Sequence, residues 1–332
     1  MIKWPPRIRL AQLPTPLTRL ERFSRRLDGV NLWVKRDELT GMEVSGNKIR
    51  KLEFCIAQAL QEGCDTLITC GGEQSNHCRA TAILGARLGL KVHLILRGNR
   101  QPEVPDGNLL LDYLAGAEVT YVPLAEWPGH PQVATDLQTH YAANGSEAFY
   151  IPVGASDEIG LWGYVAAAKE LKEDFQREGI EPEYIVTATG SGGTQAGLIA
   201  GSALFGMSSR VVAFNVCDDA AWFEEKIRHD HQLWRQRYQM DLDIEHLTIT
   251  TVEGYVGPGY GKAGPGIFAS IAELAACEGL FLDPVYTGKA FHGMVAELEK
   301  AANGSPSALA GAKNVVFIHT GGLFGVFPQK QQ

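Results

Sequence analysis

Lys48 stands in Ser45-Gly46-Asn47-Lys48-Ile49-Arg50-Lys51-Leu52, where a run of small residues passes directly into a helical pattern. A lysine at a helix N-terminus opposes the helix dipole, so helix stability does not account for its place. Desolvation and the neighbouring charge of Arg50 or Lys51 would lower its pKa, and an unprotonated amine is what forms an imine with a carbonyl. Taken alone, the spacing favours a solvated surface lysine, and only its partners argue otherwise. The first partner lies about 140 residues on, in Thr189-Gly190-Ser191-Gly192-Gly193-Thr194-Gln195-Ala196-Gly197. Glycines between a strand and a helix let backbone N–H groups converge on phosphate oxygens, and the helix dipole adds positive potential. Ser191 and Thr194 add hydroxyl donors. The run lacks the Lys-Ser/Thr ending of a nucleoside-triphosphate loop. Its glycine spacing also fits a dinucleotide fingerprint poorly, although Asp218 and Asp219 lie beyond the next strand.

Three further segments end strands or turn sharply. Gln74-Ser75-Asn76-His77 follows Gly71-Gly72, which puts polar side chains where a strand opens on a crevice. Helix capping explains Ser75 or Asn76. A sharper reading adds a hydroxyl and an amide aimed at a ligand, while His77 reads first as a core histidine. Tyr260 lies in Gly257-Pro258-Gly259-Tyr260-Gly261 and Tyr286 in Asp283-Pro284-Val285-Tyr286-Thr287-Gly288, turns that can present a ring or a hydroxyl at a pocket. His319-Thr320-Gly321-Gly322 follows an apolar strand.

The elements that must hold these residues alternate. The pattern predicts strands at 31–35, 66–70, 92–96, 119–122, 148–151, 184–188, 211–216 and 315–318. Helices are predicted over 48–62, 76–88, 108–115, 133–143 and 158–178, with another after the glycine-rich turn. Such alternation makes an α/β protein with parallel-rich twisted sheets flanked by helices, its strand ends opening on one crevice. Residues 52–160 read as a smaller α/β domain inserted in a larger one formed by 1–51 and 161–332.

Composition narrows the class. The 332 residues are 45% hydrophobic and 20% charged, as in ordinary globular proteins, and 37 glycines suit close backbone approach to a ligand. A net charge of −8 without a basic tract excludes a nucleic-acid surface. The six cysteines form no CxxC or zinc spacing, so no metal is expected and free thiols suit a reducing compartment. No apolar run approaches the roughly 20 residues that span a bilayer. Met1-Ile2-Lys3-Trp4-Pro5-Pro6 offers no secretory signal. A cytoplasmic protein acting on a small molecule is expected.

Together, Gly46–Phe54, Gln74–His77, Gly190–Gly197, Asp283–Gly288 and His319–Gly322 resemble the family of 1-aminocyclopropane-1-carboxylate deaminase and D-cysteine desulfhydrase. These are two-domain, fold-type II enzymes, tryptophan-synthase-β-like, that use pyridoxal 5'-phosphate. The motifs run in family order from about Arg36 to Gly322. The resemblance implies Lys48 as the lysine that bonds the cofactor, Asn76 near its phenolic oxygen, and Gly190, Ser191, Gly192, Gly193 and Thr194 as its phosphate loop. It further implies Tyr286 beside the pyridine ring, with Thr287 at the pyridine nitrogen. Ser75, Tyr260 and Tyr286 are implied as catalytic side chains, and Ser75, Asn76, His77 and Thr320 as substrate contacts. Lys51 matches a second family lysine of electrostatic role, and a homodimer is implied. Thr287 and Thr320 stand where the deaminases carry glutamate and leucine, as they do in the D-cysteine desulfhydrases. A neutral hydroxyl at the ring nitrogen suffices when a good leaving group sits on the β-carbon. The expected reaction is therefore α,β-elimination on D-cysteine, with L-cysteate sulfo-lyase and cyclopropane deaminase as alternatives. A nucleotide-binding oxidoreductase is the reading from another class. Ser45 and the segment Leu323–Phe327 depart from the family pattern, which leaves the leaving group open.

Overall fold

The computed structural model describes residues 2–99 and 102–329. The first half runs β1 (Leu17–Arg19), α1 (Glu21–Ser24), β2 (Asn31–Lys35), α2 (Asn47–Gln61), β3 (Thr66–Gly72), α3 (Asn76–Leu88), β4 (Lys91–Arg97), α4 (Gly107–Leu114), β5 (Glu118–Val122), α5 (His130–Ala143) and β6 (Ala148–Ile151). The second runs α6 (Trp162–Glu178), β7 (Tyr184–Thr189), α7 (Gly193–Leu204), β8 (Arg210–Asn215), α8 (Ala220–Tyr238), β9 (Thr250–Val252), α9 (Pro265–Glu278), α10 (Thr287–Ala302) and β10 (Asn314–Ile318).

Two sheets result. One has the order β5-β4-β3-β6 and is parallel throughout. The other has the order β1-β2-β10-β7-β8-β9, parallel except for β1, which runs antiparallel to β2. In its centre β10 joins the chain's two ends, with Val315 in register with Leu32 on one side and Tyr184 on the other. The strands β7 and β8 are wholly or almost wholly buried apolar runs, as crossover helices on both faces require. All four strands of the first sheet fall inside residues 52–160, and those of the second fall on both sides of that block. We propose on that ground that 52–160 forms the smaller domain.

Most predicted strands and helices stand within two or three residues of their expected ends. The long helix before β7 is an exception, starting at Trp162 rather than near Glu158. Asp157 Oδ1 accepts from the Ile159 and Gly160 N–H groups (3.1 and 2.7 Å), holding 157–160 in a turn. Helices α8, α9 and α10 fill a stretch where the spacing suggested no regular element. Helix α8 buries only Phe223, Ile227, Asp230, His231 and Trp234 among many charges, too thin an apolar stripe to stand out.

A buried ionic network locks the start of α2. Arg50 donates from Nε and Nη2 to both carboxylate oxygens of Asp37 (2.9 and 2.7 Å) and from Nη1 to Glu170 on α6 (3.0 Å). Asp37 also accepts from Tyr164 (2.6 Å) and Thr15 (2.8 Å), and Lys35 pairs with Glu170 and Asp174. Just before the helix, Gly46 adopts φ +112°, and a Cβ there would fall 2.5 Å from the Thr320 carbonyl oxygen. The Asn47 N–H donates to that same carbonyl (3.1 Å), so the turn presses flat against the end of β10. Lys48 is thereby fixed by what surrounds it.

Candidate active site

The C-terminal ends of β3, β4, β7, β8 and β10 open on one cavity of about 570 Å³, a size suited to a cofactor together with a small substrate. The crevice expected at strand ends is therefore present. Lys48, Ser75, Asn76, His77, Gly190, Ser191, Gly192, Thr194, Tyr260, Tyr286 and Thr320 all line it. Two residues expected at the site lie behind this lining. Gly193 sits one layer down, donating its N–H to Ser156 Oγ (3.2 Å). Thr287 is fully buried, and its hydroxyl donates to Asp283 Oδ1 (2.7 Å) while accepting from the Asp283 N–H (2.8 Å). The one proton of that hydroxyl is thus committed to a carboxylate rather than to the cavity.

Lys48 carries its amine against Gly154, whose φ of +67° and missing Cβ make the room; a methyl there would lie 3.1 Å from Nζ. Burial brings the Lys48 pKa down to about 8. Arg50, expected to help, points the other way into its network with Asp37 and Glu170, so desolvation carries the shift. Lys51 is completely buried and donates to the Gly154 carbonyl and Ser156 Oγ (both 3.2 Å). Burial and then the charge of Lys48 hold its pKa well below normal.

Around the end of β7 the donors gather. Ser156 and Ser191 share a hydrogen bond (2.8 Å), Lys51 lies beneath them, and Asn47 Nδ2 donates to Thr194 Oγ1 (2.9 Å). Helix α7 starts here, after Gly192 at φ +82°. At the last residue of β7, Thr189 Oγ1 is buried without a partner and faces the same cavity. Helix N-terminus, hydroxyls and the buried Lys51 amine make a complement for a phosphate.

The opposite wall is α3. Ser75 caps this helix, its Oγ accepting from the Cys78 N–H (3.2 Å), and its own hydroxyl hydrogen remains directed by whatever enters the cavity. His77 is buried, and Thr69, whose hydroxyl donates to the Ile151 carbonyl (2.7 Å), accepts from its Nε2 (2.7 Å). Burial and the two lysines keep this imidazole neutral, leaving Nδ1 as a buried acceptor without a partner. His77 is thus a core histidine that also touches the cavity. His319 is structural: its Nε2 donates to the Phe281 carbonyl (3.0 Å) and its Nδ1 accepts from Gly321 N–H (3.2 Å).

Tyr260 and Tyr286 meet hydroxyl to hydroxyl at 2.5 Å. The Tyr286 ring lies over Gly190, where a Cβ would come within 3.1 Å of it. Burial raises both phenol pKa values, and Arg97, 5.0 Å above the Tyr260 ring, draws that of Tyr260 back down. The sequence pattern assigned no role to Ser156, Arg97, Trp127, Trp222 or Lys226, nor to Thr189 beyond its place at the head of the glycine-rich turn, and all of these also line the cavity. For Thr189 and Arg97, the position at a predicted strand's C-terminal end was a usable signal.

Residues 8–321 match the family model described as pyridoxal-phosphate dependent enzyme. The chain is 38% identical over 97% of its length to the bifunctional D-cysteine desulfhydrase/1-aminocyclopropane-1-carboxylate deaminase, mitochondrial, of Arabidopsis thaliana, covering 80% of that protein. It is 39% identical over 98% of its length to a putative 1-aminocyclopropane-1-carboxylate deaminase of Thermotoga maritima, covering 99% of it. A solved structure titled as an ACC deaminase homologue superposes with a TM-score of 0.87 at 32% identity, covering 98% of this chain and 95% of that one. The chain belongs to the pyridoxal-phosphate dependent enzymes.

For a member of this family the cavity fits its cofactor. The unpartnered Thr189 hydroxyl, the Ser156–Ser191 pair and Lys51 suit the phosphate, Tyr286 the ring, and Lys48 the aldehyde carbon. Membership of the pyridoxal-phosphate dependent enzymes overturns the oxidoreductase reading, and we propose the glycine turn as part of the phosphate site. Among the described residues no group of side chains is arranged to hold a metal, and no helix is long and apolar enough to cross a membrane. A pH dependence follows from the Lys48 amine. We propose Lys48 as the residue that would bond the cofactor; only a neutral amine can do so, and the neutral fraction grows as pH rises through the pKa. Cofactor uptake by the stripped protein, followed by absorbance, is expected to accelerate with a midpoint near about 8 rather than at the 10.5 of an ordinary lysine.

Proposed function

We propose that the enzyme catalyses α,β-elimination on a small amino acid, D-cysteine first among them, giving pyruvate, sulfide and ammonia with uptake of water. When bound, pyridoxal phosphate accepts the electron pair left on the α-carbon after proton removal. The roles of the chain's own residues follow from their places. Lys48 holds the cofactor and, once released by substrate, takes the α-proton at Nζ. The hydroxyl of Ser75, with the start of α3, meets the substrate carboxylate. The Tyr260–Tyr286 pair passes a proton toward the departing sulfur across its 2.5 Å contact. Thr320, buried at the end of β10, bounds the substrate side.

One observation carries the choice of bond. Among the described residues, Asp218, which is exposed, is the one acidic side chain in the cavity lining. The nearby Asp283 carboxylate is turned inward, accepting from the Val285, Tyr286 and Thr287 N–H groups and the Thr287 hydroxyl. Among the described residues no buried carboxylate faces the cavity that could keep a ring nitrogen protonated, which opening a cyclopropane demands more than loss of a sulfur leaving group. This supports elimination over ring opening.

Arg97 favours a second reading. Its guanidinium lines the cavity between the Trp127 and Tyr260 rings (5.6 and 5.0 Å), with no hydrogen bond or ion pair among the described residues. A cation so placed suits an anionic leaving group such as the sulfonate of L-cysteate. Pyruvate release from D-cysteine, L-cysteate and 1-aminocyclopropane-1-carboxylate under one set of conditions separates the cases. D-cysteine is expected to give the highest kcat/KM; faster turnover of L-cysteate would establish the second reading, and no turnover of D-cysteine would overturn the first. The proposal includes a homodimer, measured by sedimentation, and a cytoplasmic setting, which the six free cysteines support.

A further inference from the structure

Asn76 reaches the cavity from the first turn of α3, yet an amide can present either its carbonyl or its NH₂ group. A fully buried arginine decides which. Arg79 Nη1 lies 3.2 Å from Asn76 Oδ1 and 2.6 Å from Asn108 Oδ1. A guanidinium has donors and no acceptor, so both amide atoms facing it must be oxygens. Asn108 must then turn its Nδ2 the other way, where it donates to the Gln74 carbonyl (2.9 Å) and again to Asn76 Oδ1 (3.0 Å). Gln74 closes the circle, accepting from the Asn108 N–H at Oε1 (2.9 Å) and donating from Nε2 to the Asp106 carbonyl (3.0 Å). Two donors thus hold the Asn76 oxygen away from the cavity, and its NH₂ is what remains to face it.

Arg79 is itself held from three sides. Nη2 donates to the Ser45 carbonyl (2.8 Å), in the turn that carries Lys48. The Phe324 ring covers the guanidinium at 4.8 Å, and the Asp112 carboxyl, its pKa pushed up to about 8 by burial, lies nearby without a direct hydrogen bond. Phe324 belongs to the segment Leu323–Phe327 that departs from the family pattern, and this contact gives that segment work to do.

We propose that Arg79 is a positioning residue: through Asn76 and Asn108 it forces an N–H donor, rather than a carbonyl, toward the cofactor's phenolic oxygen. The proposal rests on the reading that places Asn76 beside that oxygen. A donor there stabilises the ionised phenolic oxygen; a carbonyl in its place repels it. The ratio of the bound cofactor's visible to near-ultraviolet absorbance reports that ionisation, and loss of occupancy scales both bands alike without changing the ratio.

The test compares three holoenzyme variants. Asn76→Asp replaces the donor by an acceptor of the same shape. Arg79→Gln removes the donor-only group, and Asn108→Asp presents Asn76 with an acceptor, which turns the amide round. All three are expected to lower the absorbance ratio and to weaken cofactor binding by about ten- to hundredfold, the range of a hydrogen bond to a charged group. If Asn76→Asp changes the ratio while a folded Arg79→Gln leaves it at the native value, the positioning role is overturned and Asn76 keeps its place. If Asn76→Asp leaves the ratio unchanged, the underlying reading of Asn76 fails and the proposal with it. Should Arg79→Gln not fold, Asn108→Asp decides alone: a native ratio overturns the proposal and a lowered one upholds it.

Discussion

Lys48→Ala is expected to purify without the visible absorbance of lysine-bound cofactor and to lose at least about a thousandfold in kcat. Two proposed functions fail together, bonding the cofactor and taking the α-proton. Lys51 lies close enough to lower its own pKa through the charge of Lys48, but its Nζ is held by Gly154 and Ser156 behind the lining. Rescue by the second lysine is therefore not expected. The fold should survive, because the Lys48 amine makes no hydrogen bond or ion pair among the described residues, and circular dichroism checks this. Residual cofactor bound through the phosphate cradle should leave on dialysis. A Lys48→Ala protein with native visible absorbance would remove Lys48 from the centre of the site.

Asp37→Ala, by contrast, is expected to act on stability, costing about 3–5 kcal/mol in chemical denaturation. Its carboxylate accepts from Arg50, Tyr164 and Thr15, all buried, and losing it leaves the Arg50 guanidinium with Glu170 as its remaining acid. Breaking one side of a buried pair costs more than the pair contributes, because an uncompensated charge stays behind. Activity should fall as well, since Arg50 and Lys48 share the first turn of α2. A loss below about 1 kcal/mol, the range of an exposed ion pair, would mean the network is hydrated.

Local chemistry made half of the site legible in the sequence. Lys48, the Gly190–Thr194 turn, Ser75, Asn76 and the two tyrosines stand out by their joint places at strand ends, helix starts and sharp turns, although capping alone also accounts for Ser75. The partners from elsewhere in the chain were not legible. Gly154 and Ser156 come from the loop after β6 and join the proposed phosphate cradle only once the two sheets face each other. Of the basic pair beside Lys48 only Arg50 misled: the helix sends it into a carboxylate cluster, whereas Lys51 lies under Ser156 near enough to Lys48 to feel its charge. Thr287 reads as a site hydroxyl until Asp283, four residues earlier, takes its proton. Strands were legible because buried parallel strands are continuous apolar runs, whereas α8 hides its narrow stripe among charges.

The most direct measurement is the absorption spectrum of the purified holoenzyme before and after addition of D-cysteine, with sulfide and pyruvate followed in the same cuvette. The visible band is expected to be present at the outset and to change on mixing, with sulfide and pyruvate then released in equal amounts. An unchanged spectrum, or a changed one with no sulfide released, would contradict α,β-elimination of D-cysteine at Lys48.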